Sequence, residues 1–314
     1  MADDSIYVRP DVANLLATMA GSGAPELQTL PLAEARGAFA MMGQMFEADP
    51  TSLAVIRDIS CPGPAGSIPC RLYDARETRK AGPLITFFHG GGWVIGDLES
   101  HHSLCTHIAE AMDLPVLAVD YRLAPEAAFP AAADDCIAAA RWAAGSPAEL
   151  GRTVSGLVTM GDSAGGNLAI VVADALAESP AAVPVLVQVP IYPVTDLGRE
   201  SQSYHQFADG YLLTRSGMEW FDDCYKADLS DPRINVFKGN IAAAPPTVLV
   251  TAGLDPLRDQ GRAYGQALLG AGRDVCHLEA RGMVHGFVNL RKAVPSVAGD
   301  IDAIFSTIRL MLGR

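Results

Sequence analysis

Short apolar runs recur along the chain and alternate with longer segments that are rich in helix-forming residues. From the third run onward, most of these runs are continuously apolar, which is typical of strands buried on both faces of a sheet. The pattern predicts strands at 52–60, 68–74, 83–89, 115–121, 156–161, 184–192, 246–253 and 274–280. It predicts helices at 99–112, 131–145, 164–178, 258–271 and 297–312.

The order of these elements predicts the architecture. Strands that alternate with helices form a mostly parallel sheet with helices packed on both faces. The first two strands are joined by the turn-rich segment CPGPAGS, so we expect them to pair as an antiparallel edge. The prediction is therefore an α/β fold with a mostly parallel eight-stranded sheet.

Two regions interrupt this alternation. Residues 1–48 look helical and precede the first strand, and residues 193–236 separate the sixth strand from the seventh. Both regions carry large apolar side chains, namely Met41, Met42, Met45, Phe46, Tyr204, Phe207, Tyr211, Trp220 and Phe221. We interpret them as one discontinuous helical cap, and residues 49–192 and 237–314 as the α/β domain. Alternatively, they are peripheral helices that bury an apolar face against the core.

Composition and charge exclude several classes of protein. Of the 314 residues 49% are hydrophobic, so the chain can bury a large core. The formal net charge of -13 argues against binding to nucleic acid, which needs a basic face. No uninterrupted apolar run reaches the roughly 18 residues of a membrane span, and residues 1–20 lack the features of a signal peptide. We therefore expect a cytoplasmic protein.

The cysteines are widely spaced and form no CxxC pair; they are Cys61, Cys70, Cys105, Cys136, Cys224 and Cys276. Without an export signal, we expect them to stay reduced and to have structural roles. Cys61 and Cys70 could meet across a hairpin, but we do not expect a disulfide between them.

The pentapeptide GDSAG, residues 161–165, contains a serine at a sharp corner between a predicted strand and a predicted helix. Side chains two positions before and after Ser163 would collide in so tight a turn, and glycine removes the collision. A strained elbow of this kind holds the serine of G-x-S-x-G enzymes above the sheet. Ser163 is therefore a candidate nucleophile, the alternative being a glycine-rich turn with an uninvolved serine.

A serine hydroxyl is a poor nucleophile at neutral pH, so it needs a base and a group that orients the base. After a G-x-S-x-G elbow, the acid and then the histidine follow on loops after later strands. Asp255 and His285 occupy such positions, after the last two predicted strands. A helix cap and a plain loop histidine are the alternatives. Asp259 is the rival acid, for which we expect a structural role with nearby backbone.

Attack on a carbonyl places negative charge on its oxygen, which needs hydrogen-bond donors already in position. The segment FFHGGGW, residues 87–93, spans the end of a predicted strand and the loop after it. Successive glycines let backbone N–H groups approach a ligand closely. We assign the N–H groups of Gly91, Gly92 and Ala164 as these donors, the alternative being that the loop is merely flexible.

Five segments together resemble the hormone-sensitive-lipase-like (bacterial family IV) carboxylesterases of the α/β-hydrolase fold. They are HGGGW (89–93), DYRLAPE (120–126), GDSAGGN (161–167), DPLRD (255–259) and HGF (285–287). The resemblance implies hydrolysis of short- to medium-chain esters beneath a helical cap, and suggests a homodimer. It maps the nucleophile, acid and base to Ser163, Asp255 and His285, and two oxyanion donors to Gly91 and Gly92. These residues require no metal or organic cofactor, and the partner is a small-molecule ester.

Other interpretations stay open. The same fold serves as a small-molecule receptor in relatives that have lost the catalytic histidine, but His285 is present here. A metal-dependent hydrolase would need ligands, and His101, His102 and His107 lack the i, i+4 spacing and the acidic partner of a zinc site. A deacetylase or an amidase could use the same serine, acid and histidine.

Some residues around the site have expected roles beyond the chemistry itself. We expect the substrate pocket under the cap to be lined by Trp93, Phe46, Tyr211 and Leu212. Within DYRLAPE, we expect Arg122 and Glu126 to form a structural ion pair that supports the site. We expect His89 to shape its own loop by hydrogen bonding.

Overall fold

The computed structural model describes residues 6–313. The strands are β1 (Val55–Gly63), β2 (Gly66–Asp74), β3 (Gly82–Phe88), β4 (Val116–Val119), β5 (Val154–Asp162), β6 (Val185–Ile191), β7 (Thr247–Leu254) and β8 (Val275–Val284). Within the described residues they form one eight-stranded sheet in the order β1-β2-β4-β3-β5-β6-β7-β8. β2 pairs antiparallel with β1 and β4, and the remaining pairs are parallel. The predicted sheet is therefore confirmed.

Helices connect the strands, and further helices precede β1 and follow β8. They are α1 (Pro10–Gly21), α2 (Leu32–Phe46), α3 (His102–Met112), α4 (Ala131–Ala144), α5 (Ala164–Glu178), α6 (Gln202–Gln206), α7 (Arg215–Tyr225), α8 (Arg258–Gly270) and α9 (Ala298–Met311). The five helices expected between or after the strands are confirmed to within a few residues. Between residues 6 and 313, no helix combines the length and the apolar character that a membrane span requires.

Burial on both faces explains why the central strands read as continuous apolar runs. In β3, Ile85 and Phe87 belong to the apolar cluster that packs against α3 and α9. Leu84 and Phe88, which alternate with them, belong to the cluster that packs against α4 and α5. Because successive side chains point to opposite faces, both sets must be apolar when helices cover both faces.

The antiparallel edge is a tighter hairpin than the sequence predicts. The pairing of β1 with β2 continues to Gly63 opposite Gly66, so only two residues form the turn. Cys61 and Cys70 lie buried on neighbouring strands with their Sγ atoms 3.8 Å apart. They and the other cysteines of the described chain are free thiols.

The expected ion pair between Arg122 and Glu126 is not formed. The Arg122 guanidinium instead pairs with Asp135 of α4 (2.8 Å), which also accepts the Arg122 backbone N–H (3.0 Å). Glu126 pairs with Arg36 of α2 (2.8 Å). Both partners come from helices that are distant in sequence, so the packing of α2 and α4 decides which charges meet.

The helices outside the sheet layers are tied to the rest of the molecule by polar contacts. Besides binding Glu126, the Arg36 guanidinium donates to the carbonyl oxygen of Val94, in the loop after β3 (2.9 Å). Gln28, just before α2, donates to the Ser216 hydroxyl of α7 (2.8 Å). The N-terminal region and the region after β6 are therefore in direct contact on the side of the sheet where the β3 loop lies.

Candidate active site

The serine of GDSAG lies in the turn between β5 and α5. Ser163 has φ 57° and ψ -119°, a strained conformation for a residue with a side chain. A Cβ on Gly165 would overlap the Phe88 carbonyl oxygen, and one on Gly161 would overlap the carbonyl of Gly165. The two glycines thus let α5 begin directly against the ends of β3 and β5. The Ser163 N–H donates to Ile191 of β6 (2.9 Å), which fixes the turn further.

An acid and a histidine converge on this serine from the ends of β7 and β8. His285 Nε2 lies 2.8 Å from Ser163 Oγ, and His285 Nδ1 lies 2.7 Å from Asp255 Oδ2. Asp255 is fully buried, and its other oxygen accepts the Leu257 N–H (2.8 Å). The Tyr192 ring packs beside the imidazole, with 4.7 Å between ring centroids. The carboxylate therefore fixes a backbone turn and the imidazole at the same time.

The glycine-rich loop after β3 is tightly folded. Gly91 and Gly92 have φ values of 118° and 58°, which favour glycine. A Cβ on Gly91 would overlap the Ile95 carbonyl, and one on Gly92 would overlap the Phe221 ring of α7. The bare backbone of Gly92 lies along the same cavity as Ser163. The loop is therefore shaped by close backbone packing beside the serine.

A buried polar network lies behind the serine. The Asp162 carboxylate accepts the Gly90 N–H (2.9 Å) and lies 3.2 Å from His101 Nε2. The Asn289 side chain lies 3.2 Å from the same imidazole nitrogen. Burial disfavours the charged form of Asp162, but His101 and the Gly90 N–H outweigh burial, so the pKa of Asp162 falls below its usual value. The charged Asp162 carboxylate thus anchors Gly90, at the start of the glycine-rich loop.

His89 is buried beside this network and is neutral at pH 7. Burial, and then the nearby His101, lower the pKa of His89 to about 4. Its Nδ1–H donates to the Gly90 carbonyl oxygen (2.8 Å), and the Tyr121 hydroxyl donates to the His89 carbonyl oxygen (2.7 Å). The Tyr121 ring stacks on the imidazole with 4.2 Å between centroids. These bonds shape the loop in the way expected of His89.

A cavity of about 140 Å³ opens onto Ser163. Its apolar wall includes Trp93, Val194, Leu213, Met218, Phe221 and Leu257, and its polar side chains are Arg199, Glu200, Tyr204, Asp222 and Gln260. Much of this wall comes from the chain between β6 and the end of α7. An apolar pocket with a few polar groups beside a reactive side chain is typical of a small-molecule site.

Comparison with known proteins gives a consistent result. A family model of the α/β-hydrolase fold matches residues 85–289, well over half of the chain. The carboxylic ester hydrolase LipN of Mycobacterium tuberculosis is 39% identical over 270 residues, which cover 82% of this chain and 71% of the relative. An ethyl acetate hydrolase of Pseudomonas putida is 36% identical over 294 residues, which cover 90% of this chain and 92% of the relative.

The solved structures agree with the sequence relatives. LAE6, an α/β-hydrolase enzyme from the metagenome of Lake Arreo in Spain, solved as a serine-to-alanine mutant, superposes with a TM-score of 0.92. It is 37% identical, and the match covers 98% of this chain and 99% of that one. The ester hydrolase EH1AB1 from the same metagenome was solved with a derivative of bipyridine phosphonate. It is 36% identical, with a TM-score of 0.90, covering 98% of this chain and 100% of that one.

The chain belongs to the hormone-sensitive-lipase-like carboxylic ester hydrolases of the α/β-hydrolase fold. The resemblance carried by the five sequence motifs is thereby confirmed. Most of the residues that those motifs single out come together in space. Gly92 and Trp93 line the cavity beside Ser163, and Ala164 begins α5 immediately after it.

Three residues expected in the pocket of this family member do not line the cavity that contains Ser163. Phe46 lies at the end of α2, where its carbonyl oxygen accepts two N–H groups from the segment after β8. The Tyr211 ring packs edge-on against the buried Phe207, with 5.1 Å between centroids. Leu212, like Phe46 and Tyr211, packs against the apolar cluster on the face of α3 and α9. An apolar side chain can fill the core or a cavity, and only packing distinguishes the two.

Asp162, Asn289 and Asp222 lie close to the site, although the sequence predicts no role for them. Asp162 is the second residue of GDSAG, and Asn289 lies shortly after HGF, so their proximity to motifs could have drawn attention to them. Nothing in the sequence marks Asp222, because the packing of α7 decides which of its side chains turn toward the cavity.

The three histidines considered as metal ligands face different surroundings. His101 joins the buried network behind Ser163, whereas His102 Nδ1 lies 3.1 Å from the Tyr73 hydroxyl. The His107 ring packs against Phe305 of α9, with 5.6 Å between centroids. In the part of the chain that the structure describes, no three His, Cys, Asp or Glu side chains are grouped to hold a metal ion.

Proposed function

We propose that this protein hydrolyses esters of short- to medium-chain carboxylic acids through an acyl-enzyme intermediate. In this proposal Ser163 is the nucleophile, His285 the general base and Asp255 the acid that orients the base. The supporting observation is one continuous chain of contacts, 2.8 Å from Ser163 Oγ to His285 Nε2 and 2.7 Å from His285 Nδ1 to Asp255 Oδ2. Both distances are suitable for transfer of a proton from the serine and for stabilisation of the resulting imidazolium.

The first step forms the acyl-enzyme. His285 Nε2 accepts the hydroxyl proton as Ser163 Oγ attacks the ester carbonyl carbon. Asp255 accepts the Nδ1–H bond, so the lone pair of Nε2 faces the serine and the imidazolium is stabilised. When the tetrahedral intermediate collapses, the bond to the alcohol oxygen breaks, and His285 gives its proton to the departing alcohol.

The N–H groups of Gly91, Gly92 and Ala164 are proposed to hold the developing oxyanion. Ala164 is the first residue of α5, where N–H groups have no partner within the helix and the helix dipole favours negative charge. Asp162 holds the loop from behind through the Gly90 N–H. Donors fixed in this way need no reorganisation when charge develops on the substrate oxygen.

The second step releases the acid. A water molecule takes the place of the alcohol and gives a proton to His285 Nε2 as its oxygen attacks the acyl carbon. The second tetrahedral intermediate uses the same N–H donors. Its collapse breaks the bond to Ser163 Oγ, which recovers its proton from His285. The enzyme returns to its starting state, and the balance is one ester and one water converted into one acid and one alcohol.

We propose further that the cap predicted at 1–48 and 193–236 shapes the substrate site; residues 1–5 of it lie outside the described residues. The supporting observations are the side chains that α7 adds to the cavity and the Gln28–Ser216 bond between the two regions. A dry cavity of about 150 Å³ is large enough for benzene, and the volume beside Ser163 is about 140 Å³. A short acyl or alcohol group therefore fits beside the serine.

Replacement of the nucleophile tests this function. Ser163→Ala is expected to lower kcat for p-nitrophenyl butyrate by about 10⁴-fold to 10⁶-fold, because the bond-forming oxygen is removed. The wild type is expected to gain one covalent label from a fluorophosphonate probe, measured by intact-protein mass spectrometry, and the variant none. Ser179→Ala, at the exposed far end of α5, is the matched control and should behave as wild type. Normal hydrolysis by Ser163→Ala, or a wild type that takes no label, would contradict the proposal.

A further inference from the structure

One carboxyl group lies along the Ser163 cavity without a partner. Asp222 is on α7, and it lines this cavity together with Phe221 and Met218 from the same helix. Its carboxylate makes no hydrogen bond or ion pair with any residue in the described range 6–313. Placing a polar group beside an apolar wall without a partner is costly, and that cost is recovered when a ligand supplies the partner.

The surroundings of this carboxyl contain acids and no compensating base. Burial, followed by the neighbouring Asp223 and Glu219, raises the pKa of Asp222 to about 7. Glu219 and Asp223 are on the same helix, and the titratable side chains from outside α7 that line the same cavity are Tyr204 of α6, Arg199 and Glu200. No arginine, lysine or histidine contributes to this pKa, so the negative charge of Asp222 has no basic partner.

The other charged groups at the cavity are already engaged or exposed. Glu200 is exposed and lies 3.2 Å from the His205 imidazole. Arg199 is also exposed, and its guanidinium lies over the Phe237 ring at 5.8 Å from the centroid. Asp222 is therefore the partly buried charge of this cavity that remains available to a substrate.

The cavity wall near Asp222 suits a cation as well as an apolar group. Phe221, Tyr204 and Trp93 contribute aromatic side chains to the lining. The Arg215 guanidinium already lies over the Tyr204 ring, 5.1 Å from its centroid, and one face of Trp93 stacks on Tyr225. Aromatic faces attract ammonium groups because the ring quadrupole is negative above the ring plane. A carboxylate beside aromatic side chains is a combination that recognises a positively charged nitrogen carrying methyl or methylene groups.

We propose that Asp222 determines substrate specificity, and that the cavity prefers esters that carry a cationic nitrogen on the group lying against α7. The inference rests on the proposed function, because it concerns the same Ser163 cavity. Protonated amines and quaternary ammonium groups share the chemistry that Asp222 would recognise. Asp222 is not assigned a part in the bond-making steps.

A matched pair of esters tests the preference. Butyrylcholine and 3,3-dimethylbutyl butyrate have the same shape, but only the first carries a positive charge. The measured quantity is the ratio of their kcat/KM values at pH 8, with released butyrate quantified by chromatography. Asp222→Asn keeps the size of the side chain, and it is expected to lower this ratio by about tenfold, the effect of one partly buried charge pair.

The neighbouring acid provides the control. Asp223→Asn removes the same charge one residue away, from an exposed side chain that does not line the cavity, and the ratio should fall much less than in Asp222→Asn. A third substrate, 2-(dimethylamino)ethyl butyrate, separates a protonated amine from a quaternary ammonium group. A ratio that Asp222→Asn leaves unchanged, or that both variants lower equally, overturns the proposal.

The wild type alone supplies an independent test, which decides the matter even where the Asp222→Asn variant does not fold. The cation-to-neutral ratio should rise between pH 6 and pH 8, because the Asp222 carboxyl ionises in this range. Any effect of pH on the chemical step is common to both esters and cancels in the ratio. A flat ratio counts against the specificity proposal. Failure to hydrolyse either ester, with no fluorophosphonate label on Ser163, counts instead against the proposed function.

Discussion

At the scale of single residues, the site depends on backbone strain that close packing maintains. Ser163 adopts a positive φ of 57°, which a serine in a free chain would avoid. The conformation persists because α5 packs against the strand ends and because the Ser163 N–H is bonded to Ile191. Strain of this kind at a functional residue is maintained by its surroundings. It directs the hydroxyl toward His285, where the proposed chemistry needs it.

The acid of the proposed triad gives a prediction at the same scale. Asp255→Asn is expected to lower kcat for p-nitrophenyl butyrate by about 10⁴-fold, because an amide can hold the imidazole in the wrong tautomer. Steady-state kinetics and the unfolding midpoint should be measured together, since Asp255 also accepts the Leu257 N–H. A folded variant with near-normal kcat would remove Asp255 from the triad.

Asp259 is the matched control for this prediction. It lies one helical turn further along α8, where one oxygen accepts the Ser203 N–H (2.9 Å) and the other contacts Arg258 (2.9 Å). This is the structural role with nearby backbone that the sequence suggested for the rival acid. Asp259→Asn should therefore lower the unfolding midpoint while kcat stays within a few-fold of wild type.

At the scale of elements, the loop after β3 and helix α7 form one packed unit. The backbone of Gly92 lies so close to the Phe221 ring that a methyl group at residue 92 would overlap it. α7 also supplies Asp222 and Met218 to the cavity. Movement of α7 would therefore change the glycine-rich loop and the cavity wall together, which couples the proposed cap to the proposed chemistry.

The contact between α5 and the sheet gives the element-scale prediction. Gly165→Ala should lower the free energy of unfolding by about 3 kcal/mol, at the upper end for overpacking, because the added methyl would overlap the Phe88 carbonyl. Gly37→Ala is the control, since Gly37 is an exposed residue within α2 and no atom lies near its added methyl. That variant should gain about 0.5–1 kcal/mol from helix propensity. Urea unfolding measures both, and equal effects would contradict this account of the elbow.

At the scale of the whole molecule, parallel strands bring distant parts of the chain to one edge of the sheet. Ser163, Asp255 and His285 each follow the carboxyl end of a different strand, so they meet although up to 122 residues separate them. The same edge also carries the buried network of Asp162, His101 and His89. The geometry of the proposed triad and the stability of the fold therefore depend on the same region.

The buried His89 in this region is expected to make the free energy of unfolding depend on pH. His89 is buried and neutral with a pKa of about 4, against 6.5 in an unfolded chain. Below about pH 6.5 the unfolded state therefore binds more protons than the folded state. The contribution of His89 to the free energy of unfolding is complete above that pH and is lost as the pH falls toward 4. Between pH 7 and pH 5 the loss from His89 should be about 2 kcal/mol.

Urea unfolding of the wild type and of His89→Gln at both pH values checks this prediction. The variant lacks the titrating imidazole, so its free energy of unfolding should fall less between pH 7 and pH 5 than that of the wild type. Comparing the two differences removes any constant cost of the substitution itself. Identical pH dependence in both proteins would show that His89 does not carry the effect.

Local patterns were sufficient to predict the sheet and the arrangement around Ser163. Continuous apolar runs reflect burial on both faces, and glycines at 161 and 165 reflect a turn in which no side chain fits. Each signal comes from a constraint within a few residues of chain, which is why one sequence reveals it. The ion pairs of Arg122 and Glu126 could not be predicted in this way, because their partners come from α4 and α2.

The sequence by itself determined the order of the elements, the elbow at Ser163 and the positions of Asp255 and His285 after later strands. Tertiary structure alone decided which side chains form the cavity. Apolar residues such as Phe46 and Tyr211 turn to the core, whereas Asp222 turns to the cavity. The physical reason is that hydrophobic burial has no direction and can be satisfied in the core or at a ligand site. The relative packing of the helices over the sheet makes that choice.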